Sequence, residues 1–213
     1  MTYATTQQST EVKALQRMRE GVLLVFIGWI FLGLGLLLVA GSVFAGMMGG
    51  MMGRASGLGA AIAGLVSALI LVLVGAVVSL VGIYSKFVPG SGDLARTDPE
   101  FSTAATLIKL GYVWGLILLI VGAVLTLVVI GVFIVLVGYI LLILGFIGTI
   151  ILCFKLNDKY ANTLYLVAGI LFILGILFSI MDVIAWILLY VALGETIRKL
   201  KTQQVPATQA FLT

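Results

Sequence analysis

The chain has 213 residues, 62% of them hydrophobic and 9% charged, with a mean hydropathy of +1.30. Ordinary soluble domains carry about 25% charged residues, so a soluble fold is excluded and a polytopic helical membrane protein is expected. Histidine is absent, Cys153 is the single cysteine and the net charge is +4. These facts exclude disulfides within the chain and remove the usual ligands of haem, zinc and copper. They also argue against nucleic acid, because the positive residues are scattered at span ends.

Residues Met1 to Thr10 are polar. Val12, Leu15 and Met18 recur every three residues while Glu11, Lys13, Arg17 and Arg19 face away. This pattern fits an amphipathic lead-in at the membrane surface and, equally, a helical extension of the first span. No cleavable signal peptide is expected, since the apolar run after Glu20 is too long and lacks a small-residue cleavage site.

Span 1 is expected over about 21–45 and span 2 over about 60–85, separated by the glycine- and methionine-rich stretch Gly46–Gly59. Lys86–Thr97 (with VPGSGD) reads as a polar, turn-rich loop. Asp98-Pro99 then reads as an N-cap followed by proline at the first helical position, opening a helix that runs through Lys109 into span 3.

Gly111–Phe154 holds no charge and no proline. As one helix it would be about 66 Å long at 1.5 Å per residue, twice the hydrocarbon thickness. It therefore reads as spans 3 and 4, over about 107–130 and 132–154. Lys155–Lys159 follows as a polar connector with Asn157 or Asp158 as cap. Spans 5 and 6 are expected over about 160–178 and 183–194, both short. Ser179-Ile-Met-Asp182 between them has capping-box form.

The expected fold is thus all-α: six transmembrane helices as three antiparallel hairpins, with both termini cytoplasmic. A cytoplasmic segment 1–20 precedes them and a cytoplasmic tail 195–213 follows. This topology puts Lys13, Arg17, Arg19, Lys86, Arg96, Lys109, Lys155, Lys159, Arg198, Lys199 and Lys201 on one side and leaves Arg54 opposite. The asymmetry marks the cytoplasm. A re-entrant hairpin of spans 3 and 4 is the alternative, given the apolar turn Val129–Val132.

Small residues recur with a period of seven. Gly21, Gly28 and Gly35 form one series, and Ala61, Ala68, Gly75 and Gly82 another. Gly115 and Gly122 follow, then Gly131, Gly138 and Gly145, then Ala168 and Gly175, then Ala185 and Ala192. Apolar side chains cannot drive association in lipid, whereas close backbone approach along small residues can. These positions are the candidate helix-packing site. Gly111-x-x-x-Gly115 adds a lone GxxxG.

Chemistry-bearing constellations are sparse. No catalytic residue, cofactor site or metal site is assigned. The prolines Pro89, Pro99 and Pro206 lie outside the spans, and the mid-span polar groups are Ser67, Ser79, Thr126 and Thr149. A transporter would be expected to carry ionisable groups or proline-broken helices. Asp182 reads as a cation or proton site or, more simply, as a cap. Met47, Met48, Met51 and Met52 could offer soft sulfur ligands to Cu(I) but lack histidine or cysteine support. They also suit an adaptable contact patch. Cys153 reads as a packed thiol or a palmitoylation site. Trp29, Trp114 and Trp186, with Tyr84, Tyr112, Tyr160, Tyr165 and Tyr190, fall near span ends and fit interfacial anchoring.

Three segments, KALQRMREG, GYILLILGFIGTIILCFKLNDKY and LVAGILFILGILFSIMDVIAWILLYVALGETIRKL, resemble an uncharacterised integral-membrane family of thermoacidophilic archaea, the domain-of-unknown-function family nine-seven-three. Gly46–Gly59 is not part of that resemblance. The likeness implies an archaeal plasma membrane and transfers no activity or site residue. The function expected is that of a multi-pass, non-enzymatic accessory or structural subunit of a larger membrane complex, such as a respiratory one. Its expected partners are membrane lipids and other integral subunits, or further copies of itself, and not nucleic acid. The alternatives are a small-solute or lipid transporter or channel, with the 3–4 hairpin moving, and a self-assembling membrane-shaping protein.

Overall fold

The computed structural model describes the backbone of residues 2–51, 55–126 and 130–204, and the side chains of 9–49, 59, 61–126 and 130–202. Six helical rods and no strand occur among the described residues. Five rods are long and apolar enough to cross a membrane: Ser9–Gly49, Ala61–Thr97, Pro99–Leu125, Ile130–Tyr160 and Ser179–Thr202. The sixth, Thr163–Gly175, is shorter. The helices are α1 (Thr2–Met51), α2 (Ala55–Val81), α3 (Val88–Thr97), α4 (Ser102–Ile108), α5 (Gly115–Leu125), α6 (Ile130–Tyr160), α7 (Thr163–Gly175) and α8 (Ser179–Gln204). π-Helical turns at Gly82–Phe87 and Lys109–Trp114 join α2 to α3 and α4 to α5.

The chain divides into two compact units, residues 23–83 and residues 1–22 with 84–213. In the first, the later part of α1 and α2 meet through glycine. A Cβ added at Gly28 would lie 2.6 Å from the Gly75 carbonyl oxygen, and one added at Gly75 would lie 2.7 Å from the Gly28 oxygen. Further along, Gly35 faces Ala68 and Val72, Gly64 faces Ser42, and Gly46 faces Ala61. The partner number falls as the α1 number rises. Gly33 and Gly41, off this seam, have nothing within 4 Å of an added Cβ.

The second unit holds the tight core. Leu15, Met18, Phe87, Leu94, Phe101, Ile108, Leu152, Leu156, Tyr165, Phe172, Leu189 and Leu193 are fully buried. A run of edge-on rings crosses it: Phe87 to Trp186 at 5.5 Å, Trp186 to Phe172 at 5.2 Å and Phe172 to Phe146 at 5.6 Å between centroids. Such edge-to-face pairs contribute about 0.5–1.5 kcal/mol each beyond burial. Away from this core, α5 and α6 meet along a glycine seam. A Cβ on Gly122 would lie 2.7 Å from Val135 N, one on Gly138 2.9 Å from Leu119 N, and one on Gly145 2.9 Å from Tyr112 N.

Several expectations are corrected. Lys86–Thr97 is not a loop: its residues continue helically through the π turn into α3. Gly90 serves close approach there, since an added Cβ would lie 3.1 Å from the Ala14 carbonyl oxygen and 2.6 Å from Met18 Cγ. Pro89 has no N–H to donate four residues back to Ser85, and Arg17 Nη2 donates to that oxygen at 3.4 Å. The lead-in is not a separate surface helix, because α1 is continuous and Val12, Leu15 and Met18 are buried. Helix also enters the Gly/Met stretch from both sides, through Met51 and from Ala55, while residues 52–54 lie outside the described ones.

The cap after α6 is neither Asn157 nor Asp158. Helix α6 continues to Tyr160, Ala161 adopts φ 48°, and Asn162 Oδ1 accepts from Leu164 N at 3.1 Å. The fifth expected span, 160–178, contracts to the 13 residues of α7, and the sixth, 183–194, lengthens to the 26 of α8. Ser179 is the first helical residue of α8, and Asp182 Oδ1 is enclosed with no partner among the described residues, so no capping box closes there.

Candidate functional site

The sequence points to seams, not to a catalytic centre. Gly21, Gly28, Gly35, Ala68, Gly75, Gly82, Gly115, Gly122, Gly131, Gly138, Gly145, Ala168, Ala185 and Ala192 are all buried; Gly175 is half-buried, with Asp182 Cβ 3.0 Å from an added Cβ. Gly111 of the GxxxG pair lies against the Gly145 backbone so closely that any side chain would collide with main chain.

The mid-span hydroxyls are satisfied largely on their own helices. Ser67 donates to Ala63 O at 2.9 Å, Thr126 to Gly122 O at 2.8 Å and Thr149 to Gly145 O at 3.2 Å. Ser79 Oγ is buried without a hydrogen-bond partner among the described residues and lies in the space an added Gly28 side chain would need. Cys153 is fully buried, as a packed thiol would be. Met47 and Met48 are exposed, and the side chains of Met51 and Met52 lie outside the described residues. Among the described residues no group of three or more His, Cys, Asp and Glu is placed to hold a metal ion.

The aromatic residues divide in two. Trp29 and Trp114 are exposed, as interfacial anchors would be. Trp186 and Tyr165 are corrections to that expectation: Trp186 sits in the ring cluster, and Tyr165 is fully buried with its hydroxyl donating to Thr196 Oγ1 at 2.9 Å.

The polar chemistry gathers at one end of the second unit. Lys159 Nζ lies 2.9 Å from Asp98 Oδ2 and also pairs with Glu11, whose Oε1 accepts from the Tyr160 hydroxyl. Asp98 in addition caps the 3-10 turn Pro99–Phe101 by accepting from Glu100 N at 3.0 Å. The hydrogen bond from Lys159, with that from Glu100 N, holds the Asp98 carboxyl below its usual pKa. Arg17 pairs with Asp93 at 3.0 Å and Lys86 with Glu20 at 2.7 Å. The first stretch of α1, the α3 region and the end of α6 are thereby clamped together. Spacing could flag Asp98 as a cap, but not Glu11 or Tyr160 as members of one network, because their partners are remote in sequence.

A second polar cluster stands beside the first. Arg19 lies over the Tyr190 ring, 4.4 Å from Cζ to centroid, and Nη2 donates to the Tyr190 hydroxyl at 3.1 Å. Arg19 is therefore half-buried against α8 instead of facing away.

No curated protein and no solved structure matches the chain. Residues 11–213, the Gly/Met stretch included, match the family described as "Protein of unknown function (DUF973)", and the chain belongs to that family.

Proposed function

We propose that this is a non-enzymatic, multi-pass protein of the cell membrane, archaeal by the resemblance, that serves as an accessory or structural subunit of a larger membrane assembly. A respiratory complex is one such host. The proposed topology is three hairpins, α1–α2, α5–α6 and α7–α8, with both termini cytoplasmic. Support for the pairing comes from the opposed numbering of partners, such as Gly28 with Ser79 and Gly46 with Ala61. Support for the orientation comes from the basic residues that cluster with Asp93, Asp98, Glu11 and Glu20.

One observation carries the reading. The outward faces of the long helices are large and apolar, with Leu37 at 71%, Val124 at 69% and Phe133 at 66% exposure, while small residues line the seams between them. A soluble monomer does not tolerate such surface. In lipid it is at home. Purification of the native protein in a mild detergent, with mass spectrometry of what accompanies it, tests the role. Stoichiometric integral partners are expected; a monodisperse lone protomer would overturn it.

A further inference from the structure

An open groove of about 620 Å³ runs along the C-terminal part of α8, with Arg19, Tyr190, Glu195, Arg198 and Lys201 in its lining. Its cations, like Lys13, Lys109, Lys155 and Lys199, make no ion pair among the described residues, but only they converge on one groove. Arg17, Lys86, Arg96 and Lys159 each have a carboxylate within 4.0 Å. Arg19, Arg198 and Lys201 have none among the described residues.

The groove's own acid keeps its charge but touches none of them, which leaves three cations against one carboxylate. Glu195 Oε2 accepts from Asn162 Nδ2 at 3.2 Å, and the Asn162 amide is fixed the other way round by its cap bond to Leu164 N. Arg19 is posed rigidly: its guanidinium rests on the Tyr190 ring, and Gly194 makes room for it, an added Cβ there falling 3.1 Å from Arg19 Cζ. Nη2 donates to Tyr190 and Nε is enclosed without a partner among the described residues, so Nη1 and the remaining Nη2 hydrogen are the donors left for the groove. A guanidinium with donors to spare, beside two further unpaired cations, matches a phosphate in shape and charge. Val191 and Ile197 supply an apolar wall beside them.

We propose that this groove binds a phosphate-bearing anion, either the headgroup of an anionic phospholipid or a free phosphate compound. The lipid source rests on the membrane reading above, because basic pockets at the cytoplasmic ends of spans are where such headgroups dock.

The full-length protein in neutral detergent is titrated with phosphatidylglycerol and with phosphatidylcholine and read by native mass spectrometry. Inorganic phosphate is added as a competitor. Phosphatidylglycerol is expected to bind more tightly than phosphatidylcholine by about fivefold for each groove cation engaged, from roughly 1 kcal/mol per cation. Arg198→Gln with Lys201→Gln, both at exposed positions, is expected to remove most of that preference and leave phosphatidylcholine unchanged. Arg19→Gln is expected to weaken phosphatidylglycerol likewise, and Lys199→Gln, outside the groove lining, to have no effect.

Inorganic phosphate that fails to displace the lipid assigns the groove to a headgroup; phosphate that binds alone and displaces it assigns the groove to a free phosphate compound. Equal binding of the two lipids with no phosphate binding, or a doubly substituted protein that binds as the wild type does, overturns the proposal. Retention of the protein in membranes after an alkaline carbonate wash reads the membrane assignment separately.

Discussion

Tyr84 donates its hydroxyl to the carbonyl oxygen of Tyr112 at 2.7 Å, joining the π-helical turns Gly82–Phe87 and Lys109–Trp114. Tyr112 in turn places its own hydroxyl 3.2 Å from Thr149 Oγ1 on α6. A π turn offsets the hydrogen-bond ladder and exposes backbone carbonyls to new donors, and here one widened turn supplies the donor for the other. The result is a polar rung that runs from the Tyr84 turn through the Tyr112 turn to α6, the last two of which also meet at Gly111 and Gly145.

Tyr84→Phe is expected to cost about 1 kcal/mol, the net worth of one such bond. Thr149→Val should cost about 1–3 kcal/mol, because it leaves the Tyr112 hydroxyl without its partner. Thermal unfolding in mild detergent, followed by circular dichroism, measures both. No change for either would mean that the rung does not hold the helices.

The glycine seams admit a paired test. Gly145→Val places branched carbons against the Tyr112 and Gly111 backbone, which cannot yield. A loss of about 1–3 kcal/mol or more is expected from overpacking. Gly33→Ala and Gly41→Ala enter open space, so they should be neutral or stabilise by up to about 1 kcal/mol through helix propensity. Similar effects at all three positions would show that glycine is not placed for packing.

Ala161 holds a left-handed backbone between α6 and α7, and its N–H closes on Asn157 O at 2.8 Å. Left-handed geometry costs an alanine roughly 1–2 kcal/mol. Ala161→Gly should therefore raise stability by about 1 kcal/mol, offset in part by glycine's greater freedom when unfolded. A lower melting temperature would contradict the strain.

The Lys159 clamp should show in both mutation and pH. Lys159→Met is expected to cost about 1–3 kcal/mol, between the values for exposed and buried ion pairs. The Asp98 carboxyl is depressed in the folded chain. Its contribution is complete above the ordinary carboxylate pKa of 3.8 and is lost as pH falls through the lower folded value. An acid midpoint shifted upward in Lys159→Met relative to wild type checks the sign; identical acid profiles would remove Lys159 from the account.

Much of the architecture is legible because lipid imposes simple rules. A charge-free run too long for one crossing has to break, and α5 ends at Leu125 before α6 begins at Ile130. Seven-residue spacing places small side chains on one face, and those positions are buried except Ala61 and Gly175, which are half-buried. Tertiary contacts decided the rest. Pro89, Gly90 and Gly92 look like a turn, yet Gly90 is there to let Ala14 and Met18 approach. Lys159 reads in the sequence as part of a connector, but its two carboxylates hold the last turn of α6 in place. Local periodicity assigns Arg19 to solvent, whereas Tyr190, far along the chain, draws it inward.

The turn after α7 has a consequence for the bilayer itself. Helix α7 has 13 residues, about 20 Å of rise, well short of a hydrocarbon layer about 30 Å thick. Ile176, Leu177 and Phe178 beyond it are 68%, 76% and 61% exposed, and their N–H groups all close on Ile173 or Leu174 carbonyls. A bend so greasy and so self-satisfied has no need to reach water. On the proposed topology, in which α7 crosses the bilayer, lipid next to it would thin, and hydrophobic mismatch would sort this protein toward shorter-chain or more pliable membranes.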